Sequence, residues 1–252
     1  MGIEESGKRD TDNGGLFADQ DAIELYADRI RDPELFPQER KAVERYFTDT
    51  NASVLDVGCG VGRVSHLLDE RGFDTTGIDV SEPLVAKARS LFPGIDFRTA
   101  DIRDPPFGAA SFDYVVFSWF GLDYIRPESE RIAALRQIKR LLKPSGVVVF
   151  SSHNQWHSFV PVPFDTIRRA IGDVVDLYLR KKNHRRILSR YKIESVPLGE
   201  VEIYLSNPIH QWGQLRECGL TPLDVVGKRD GLLRFLERQP HYVAKNSKAN
   251  GQ

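Results

Sequence analysis

Asp56, Gly58, Gly60, Gly62 and Asp79 are the residues whose types and spacing point most directly to chemistry. Glycines at alternate positions let the chain turn sharply and let a ligand approach with no Cβ in the way. The run before them, Val54-Leu55-Asp56-Val57, is short and apolar, and Val61, Val64, Leu67 and Leu68 after them recur at helical spacing. The stretch reads as strand, tight turn, helix, and a helix N-terminus aims unpaired N–H groups at whatever is bound. Asp79 closes a second strand, where a carboxylate can accept both hydroxyl protons of a ribose diol. This is the chemistry of a nucleoside-bearing ligand held at the C-terminal ends of parallel strands.

A dinucleotide loop would need G-x-G-x-x-G, but Arg63 stands where its third glycine belongs, leaving G-x-G-x-G. Asp79 suits any adenosine ligand and does not by itself choose between NAD and another.

The elements that must position these residues follow a strand–helix rhythm. Strands are expected at Ser53–Val57, Asp74–Ile78, Ile95–Ala100, Phe112–Ser118 and Val147–Ser151. Between them fall a helix ending near Gly72, one capped by Ser81, and one from about Pro127 to Leu142. Such alternation predicts an α/β fold, doubly wound around a mostly parallel sheet. Two helices, Phe17–Ile30 and Pro37–Phe47, are expected before the first strand, within an N-terminal region spanning 16–50 that follows a disordered 1–15. The core occupies 51–152, a helical insertion 153–200 and the end of the sheet 201–245, with a polar tail over 246–252. The insertion carries a predicted helix from Asp165, and later elements are a strand at Val201–Leu205, a helix at Ile209–Cys218 and strands near Leu223–Val226 and His241–Ala244.

The combined pattern resembles the class I S-adenosylmethionine-dependent methyltransferases. The matching pieces are Val54–Arg63, Gly77-Ile78-Asp79-Val80-Ser81, Ala100-Asp101-Ile102, Ser111–Val116, Leu141–Gly146 and Leu215–Leu220, in order. Ser145 stands where many members have glycine, a departure expected to be without consequence. The resemblance implies a seven-stranded Rossmann-like sheet with an antiparallel last strand, and S-adenosyl-L-methionine as cofactor. It assigns Asp56 and the Gly58–Gly62 turn to the methionine part, Asp79 to the ribose, Val80 to the adenine face, and Asp101 and Ile102 to the adenine edge. Phe117, Ser118 and Trp119 would line the pocket near the sulfonium methyl, where carboxylates and aromatic faces suit a cation.

The acceptor site should then lie beyond the fourth and fifth strands, under the insertion. Candidates there are Trp119, Asp123, Asn154 and His157 as substrate contacts, with Tyr124 and His153 as catalytic groups. An O–H or N–H acceptor must lose a proton, and histidine suits base work near neutrality. The segment from Arg180 to Lys192 holds Arg180, Lys181, Lys182, Arg185, Arg186, Arg190 and Lys192 with no acid. It reads as a solvated helix face, or as the basic edge of a lid over a small anionic acceptor; docking of RNA or protein is the rival.

Composition narrows the rest. A net charge of −1 over 252 residues gives no global attraction to nucleic acid or anionic membrane. The two cysteines, Cys59 and Cys218, build neither a disulfide framework nor a zinc set, which predicts no metal and a cytoplasmic setting. No run approaches the roughly 18 apolar residues of a membrane span.

Overall fold

The computed structural model describes residues 23–24, 34–159, 190–196 and 199–247. A seven-stranded sheet is its centre, built from β1 (Ser53–Val57), β2 (Asp74–Asp79), β3 (Asp96–Thr99), β4 (Phe112–Phe117), β5 (Leu142–Ser151), β8 (Leu220–Val226) and β9 (His241–Asn246). Their spatial order is β3-β2-β1-β4-β5-β9-β8. β1 pairs in parallel with β2 and β4, while β9 runs antiparallel to both β5 and β8. The strand order reverses between β1 and β4, the place where such sheets open a crevice for ligands.

Helices cover both faces because the strands are apolar on both. On one face Leu55, Val115, Val148 and Tyr242 pack under α4 (Glu128–Leu141), which buries Ile132, Leu135, Ile138 and Leu141 at helical spacing. Each such side chain contributes about 1.5–3 kcal/mol by leaving water. On the other face Val54, Val116, Val149 and Val243 meet α1 (Pro37–Tyr46) and α2 (Arg63–Asp69). α3 (Glu82–Leu91) closes the β2–β3 edge with Val85 and Ala88 against Phe97. Ser81 holds the N-cap position of α3 but makes no side-chain capping bond; Asp79 Oδ1 instead accepts the Ser81 N–H at 2.9 Å.

The predicted strand over Val201–Leu205 does form, as β7 (Gly199–Tyr204), but it pairs with β6 (Tyr191–Val196) in a separate hairpin. The boundary placed at 200/201 therefore cuts through one element. The hairpin docks onto α4 and α5 (Pro208–Glu217) through polar contacts. Tyr204 Oη donates to Glu128 Oε1 at 2.8 Å, and Glu128 N donates to Tyr191 Oη at 2.9 Å. Of the helix predicted over Phe17–Ile30 only residues 23–24 are described, as helix, and the helix predicted from Asp165 and the cationic run Arg180–Arg186 lie outside the described residues.

Ser145 corrects a sequence expectation. Its φ is +73°, the left-handed region that favours glycine, so the glycine-to-serine departure does carry strain.

Candidate active site

A cavity of about 700 Å³ opens at the strand-order reversal. Its floor is the β1–α2 turn. Gly58, Gly60 and Gly62 have φ of +65°, +54° and +91°, which explains why glycine recurs there. A Cβ on Gly60 would meet nothing within 4 Å, whereas one on Gly62 would lie 2.8 Å from Phe97 Cζ. Gly60 thus keeps the cavity open, and Gly62 lets α2 pack on the aromatic ring below it. Gly62 does not itself line the cavity.

Asp56, Asp79, Val80, Asp101 and Ile102 all line this space, with Ser118, Trp119 and Tyr124 at its other end. Asp56 is buried and accepts the Ser65 hydroxyl at 2.7 Å. Burial pushes its carboxyl up to about 7, against the opposing effects of that hydrogen bond and of Arg63. Asp79 Oδ2 accepts the Gly60 N–H at 2.9 Å, so the acid at the end of β2 also pins the glycine turn. Burial raises its carboxyl too, partly offset by N–H donors from Ser81, Gly60 and Val80. Asp101 differs. Burial opposes its ionisation, but Arg103 outweighs that with Nε 2.9 Å from Oδ2, holding the carboxyl below its usual range. Val80 is well exposed, an apolar surface offered to the cavity.

At the far end, β4 stops in two consecutive aromatic residues with left-handed backbone, Trp119 at φ +51° and Phe120 at φ +61°. Bulky residues rarely sit there, and such strain persists only where surroundings over-determine it. Ser151 Oγ accepts the Phe120 N–H at 2.8 Å. Beyond them the wall is made of Gly121, Tyr124, Ile125 and Arg126, the last paired with Glu202 of the hairpin.

Four of the acceptor-side candidates are placed elsewhere. Asp123 is fully buried in an ion pair with Arg131 at 2.8 Å and accepts the Ser152 hydroxyl at 2.8 Å. His153 is tied to Asp123 and lies tilted by 44° against the Phe120 ring, 4.3 Å between centroids, outside the cavity lining. Asn154 Nδ2 donates to the carbonyls of Phe235 and Glu237 at 2.8 and 2.9 Å. His157 Nδ1 lies 3.3 Å from the Leu236 carbonyl. Post-strand position alone did not reveal that these side chains turn toward α4 and the β8–β9 connection. Sequence reasoning also missed Arg63 and Arg126 as cavity residues; Arg63, one step past the last glycine, was the readable signal.

A sheet of this order with a glycine turn and an acid ending the second strand defines a Rossmann-like nucleoside-binding protein. Residues 54–146 match the family described as methyltransferase domain. The chain is similar to the malonyl-[acyl-carrier protein] O-methyltransferase of Salmonella typhimurium, 37% identical over 40% of this chain and 39% of that protein. It is likewise similar to the demethylmenaquinone methyltransferase of Renibacterium salmoninarum, 34% identical over 49% and 51% of the two chains. The chain thus spans between 39% and 51% of the length of these relatives. A solved S-adenosylmethionine-dependent methyltransferase from Methanosarcina mazei superposes with a TM-score of 0.64, at 18% identity, over 85% of this chain and 99% of that one. Residues 54–146 thus carry a methyltransferase domain, and the fold around them is that of S-adenosylmethionine-dependent methyltransferases.

Proposed function

We propose that this chain methylates an oxygen or nitrogen atom of a small, anionic molecule, using S-adenosyl-L-methionine. The observation that carries the reading is the one cavity that joins Asp56, Gly60 and Asp79 to Trp119, Tyr124 and Arg126. The residues present fit the cofactor: Gly60 leaves open the space a Cβ would take, and two buried-end carboxylates face that space. Asp56 would hold the ammonium of the methionine part, Asp79 the ribose hydroxyls, and Val80 the adenine face, with Ile102 at the adenine edge. Asp101 would border the same edge. When bound, the cofactor supplies an activated methyl on a sulfonium, already a good leaving group.

The chain's own task is then placement and exclusion of water. Trp119 and Phe117 present aromatic faces to positive charge. Tyr124 orients the acceptor through its hydroxyl, and the Arg126–Glu202 pair stands beside it on the same wall. The cationic composition of the segment 180–192 is what supports an anionic acceptor. Asp123, Asn154 and His153 hold the β5 end in place, and His157 serves the β8–β9 connection. The relatives' printed acceptors, a malonyl group on an acyl-carrier protein and demethylmenaquinone, differ from one another, and neither is RNA.

The test uses methyl-labelled S-adenosylmethionine with metabolite, RNA and protein pools. Label in the metabolite pool, lost in Asp79→Ala, is the expected result. Label confined to RNA or protein would replace the acceptor class, and binding without transfer to any pool would make this a non-enzymatic cofactor binder.

A further inference from the structure

Glu39 lies on α1, outside every motif that identifies the fold, yet it reaches both loops that bound the cavity. It is only 2% exposed. Its Oε1 accepts from Arg63 Nη2 at 2.9 Å and from Ser118 Oγ at 2.8 Å. Its Oε2 accepts from Arg63 Nη1 at 3.1 Å and from Phe36 N at 2.8 Å. Arg63 also donates to the Glu34 carbonyl at 2.7 Å, and its guanidinium lies 4.4 Å from the Phe36 ring centre and 5.8 Å from that of Trp119. Phe36 completes the layer, edge-on to Trp119 at 5.8 Å.

Arg63, Ser118 and Trp119 are cavity residues, two of them from opposite sides of the β1/β4 crevice. One carboxylate therefore fastens the start of α2 to the tip of β4, immediately before the strained pair Trp119 and Phe120. Docking of α1 does not need it. Ala42 and Val43 bury that helix against the sheet, and Arg45 and Tyr46 bond Asp224 of β8 at 3.1 and 2.8 Å. A buried ion pair is moreover weak evidence for stability, because desolvation consumes most of its Coulomb gain.

We propose that Glu39 is a positioning residue: it clamps Arg63 and Ser118 so that the Trp119 wall is set against the bound ligand. The role rests on the methyltransferase reading above. It acts through Arg63 and Ser118 and touches neither reacting atom.

The test measures S-adenosylhomocysteine binding by calorimetry, with Trp119 emission read in a Trp156→Phe, Trp212→Phe background. Glu39→Gln keeps the shape and acceptor oxygen but removes the charge facing Arg63. It should weaken binding about tenfold and shift Trp119 emission. Ser118→Ala, which removes one donor only, should move both readouts in the same direction by less, and serves if Glu39→Gln does not fold. Arg45→Ala, which loosens α1 at its other end, should lower the melting temperature and leave both readouts unchanged. Wild-type affinity in Glu39→Gln would overturn the proposal, as would an equal loss in Arg45→Ala. A wild-type protein that does not bind S-adenosylhomocysteine would sink the methyltransferase reading itself, and this role with it.

Discussion

Asp123 grips His153 twice: its Oδ2 lies 2.9 Å from His153 Nδ1 and 2.6 Å from the His153 backbone N. The other oxygen of the same carboxylate accepts from Arg131 and Ser152. Arg131, itself fully buried, continues the chain to the Leu122 carbonyl and Gln211, at 2.7 and 2.8 Å. The network ties the β4 tip, α4 and the end of β5 into one polar knot behind the aromatic wall.

His153→Gln should therefore cost stability, about 1 kcal/mol for a lost hydrogen bond, with S-adenosylhomocysteine affinity unchanged. Asp123→Asn should cost about 3–5 kcal/mol, because it strands the Arg131 charge. Denaturant melts and calorimetry check both. A His153→Gln protein of full stability and no turnover would make the imidazole the base after all.

If Asp56 holds the ligand's ammonium as proposed, it should link ligand affinity to pH. Its carboxyl titrates at about 7 in the ligand-free protein because it is buried, yet a bound ammonium needs it ionised. Affinity for S-adenosylhomocysteine should fall up to tenfold per unit as pH drops below about 7, and Asp56→Asn should lose that dependence. Stability runs the other way. The folded state holds a proton that the unfolded state releases above about 3.8, so folding loses stability as pH rises from about 4 to about 7. The loss is up to roughly 4 kcal/mol, and a ligand-free Asp56→Asn melt should not show it.

Ser145 gives a stabilising substitution. With φ at +73°, Ser145→Gly should relieve the left-handed backbone and gain about 1 kcal/mol, raising the melting temperature by a few degrees. Gly146→Ala beside it should do the opposite, since its Cβ would lie 2.8 Å from the Asp113 carbonyl.

The sheet and its ligand end were legible because their signals are local. Apolar runs closing on Asp56, Asp79 and Asp101, with glycines after the first, are visible within a few residues, and all three acids reach the cavity. The hairpin partner of Val201–Tyr204 was not legible, since alternation predicts a strand and says nothing of what it pairs with. Asp123 and His153 sit where functional groups collect in such sheets, but side chains on other elements, Arg131 of α4 above all, decide that they face inward. Glu39 was invisible for the same reason, its partners lying on α2 and beyond β4.

The glycine turn separates binding from folding. Gly60→Ala places a methyl in open space, so it should cost only about 1–2 kcal/mol of left-handed strain while obstructing the ligand. Gly62→Ala would drive a Cβ to 2.8 Å from Phe97, so it should cost more in stability with less direct effect on binding. Paired melts and titrations of the two variants check the contrast; equal losses of affinity at equal stability would refute it.

His241 sets the acid limit of the fold. It stands at the start of β9 opposite Ser151, 4% exposed, with neither ring nitrogen hydrogen-bonded among the described residues. Burial pushes its imidazole down to about 4, with Glu39 and Glu237 pulling upward and Arg63 downward. The folded state therefore refuses a proton that the unfolded state takes up below about 6.5. Stability is full above that value and is lost as pH falls toward about 4, by roughly 3 kcal/mol. Because Asp56 contributes the opposite slope over an overlapping range, the wild-type profile should be shallow there, and removing either group should expose the other. His241→Leu, apolar and buried, should lose its acid sensitivity and gain stability at pH 5 relative to pH 8, read by denaturant midpoints at the two values. An unchanged difference between those midpoints would mean that the imidazole titrates alike in the folded and unfolded chains, and a relative loss at pH 5 would mean that the fold holds it protonated.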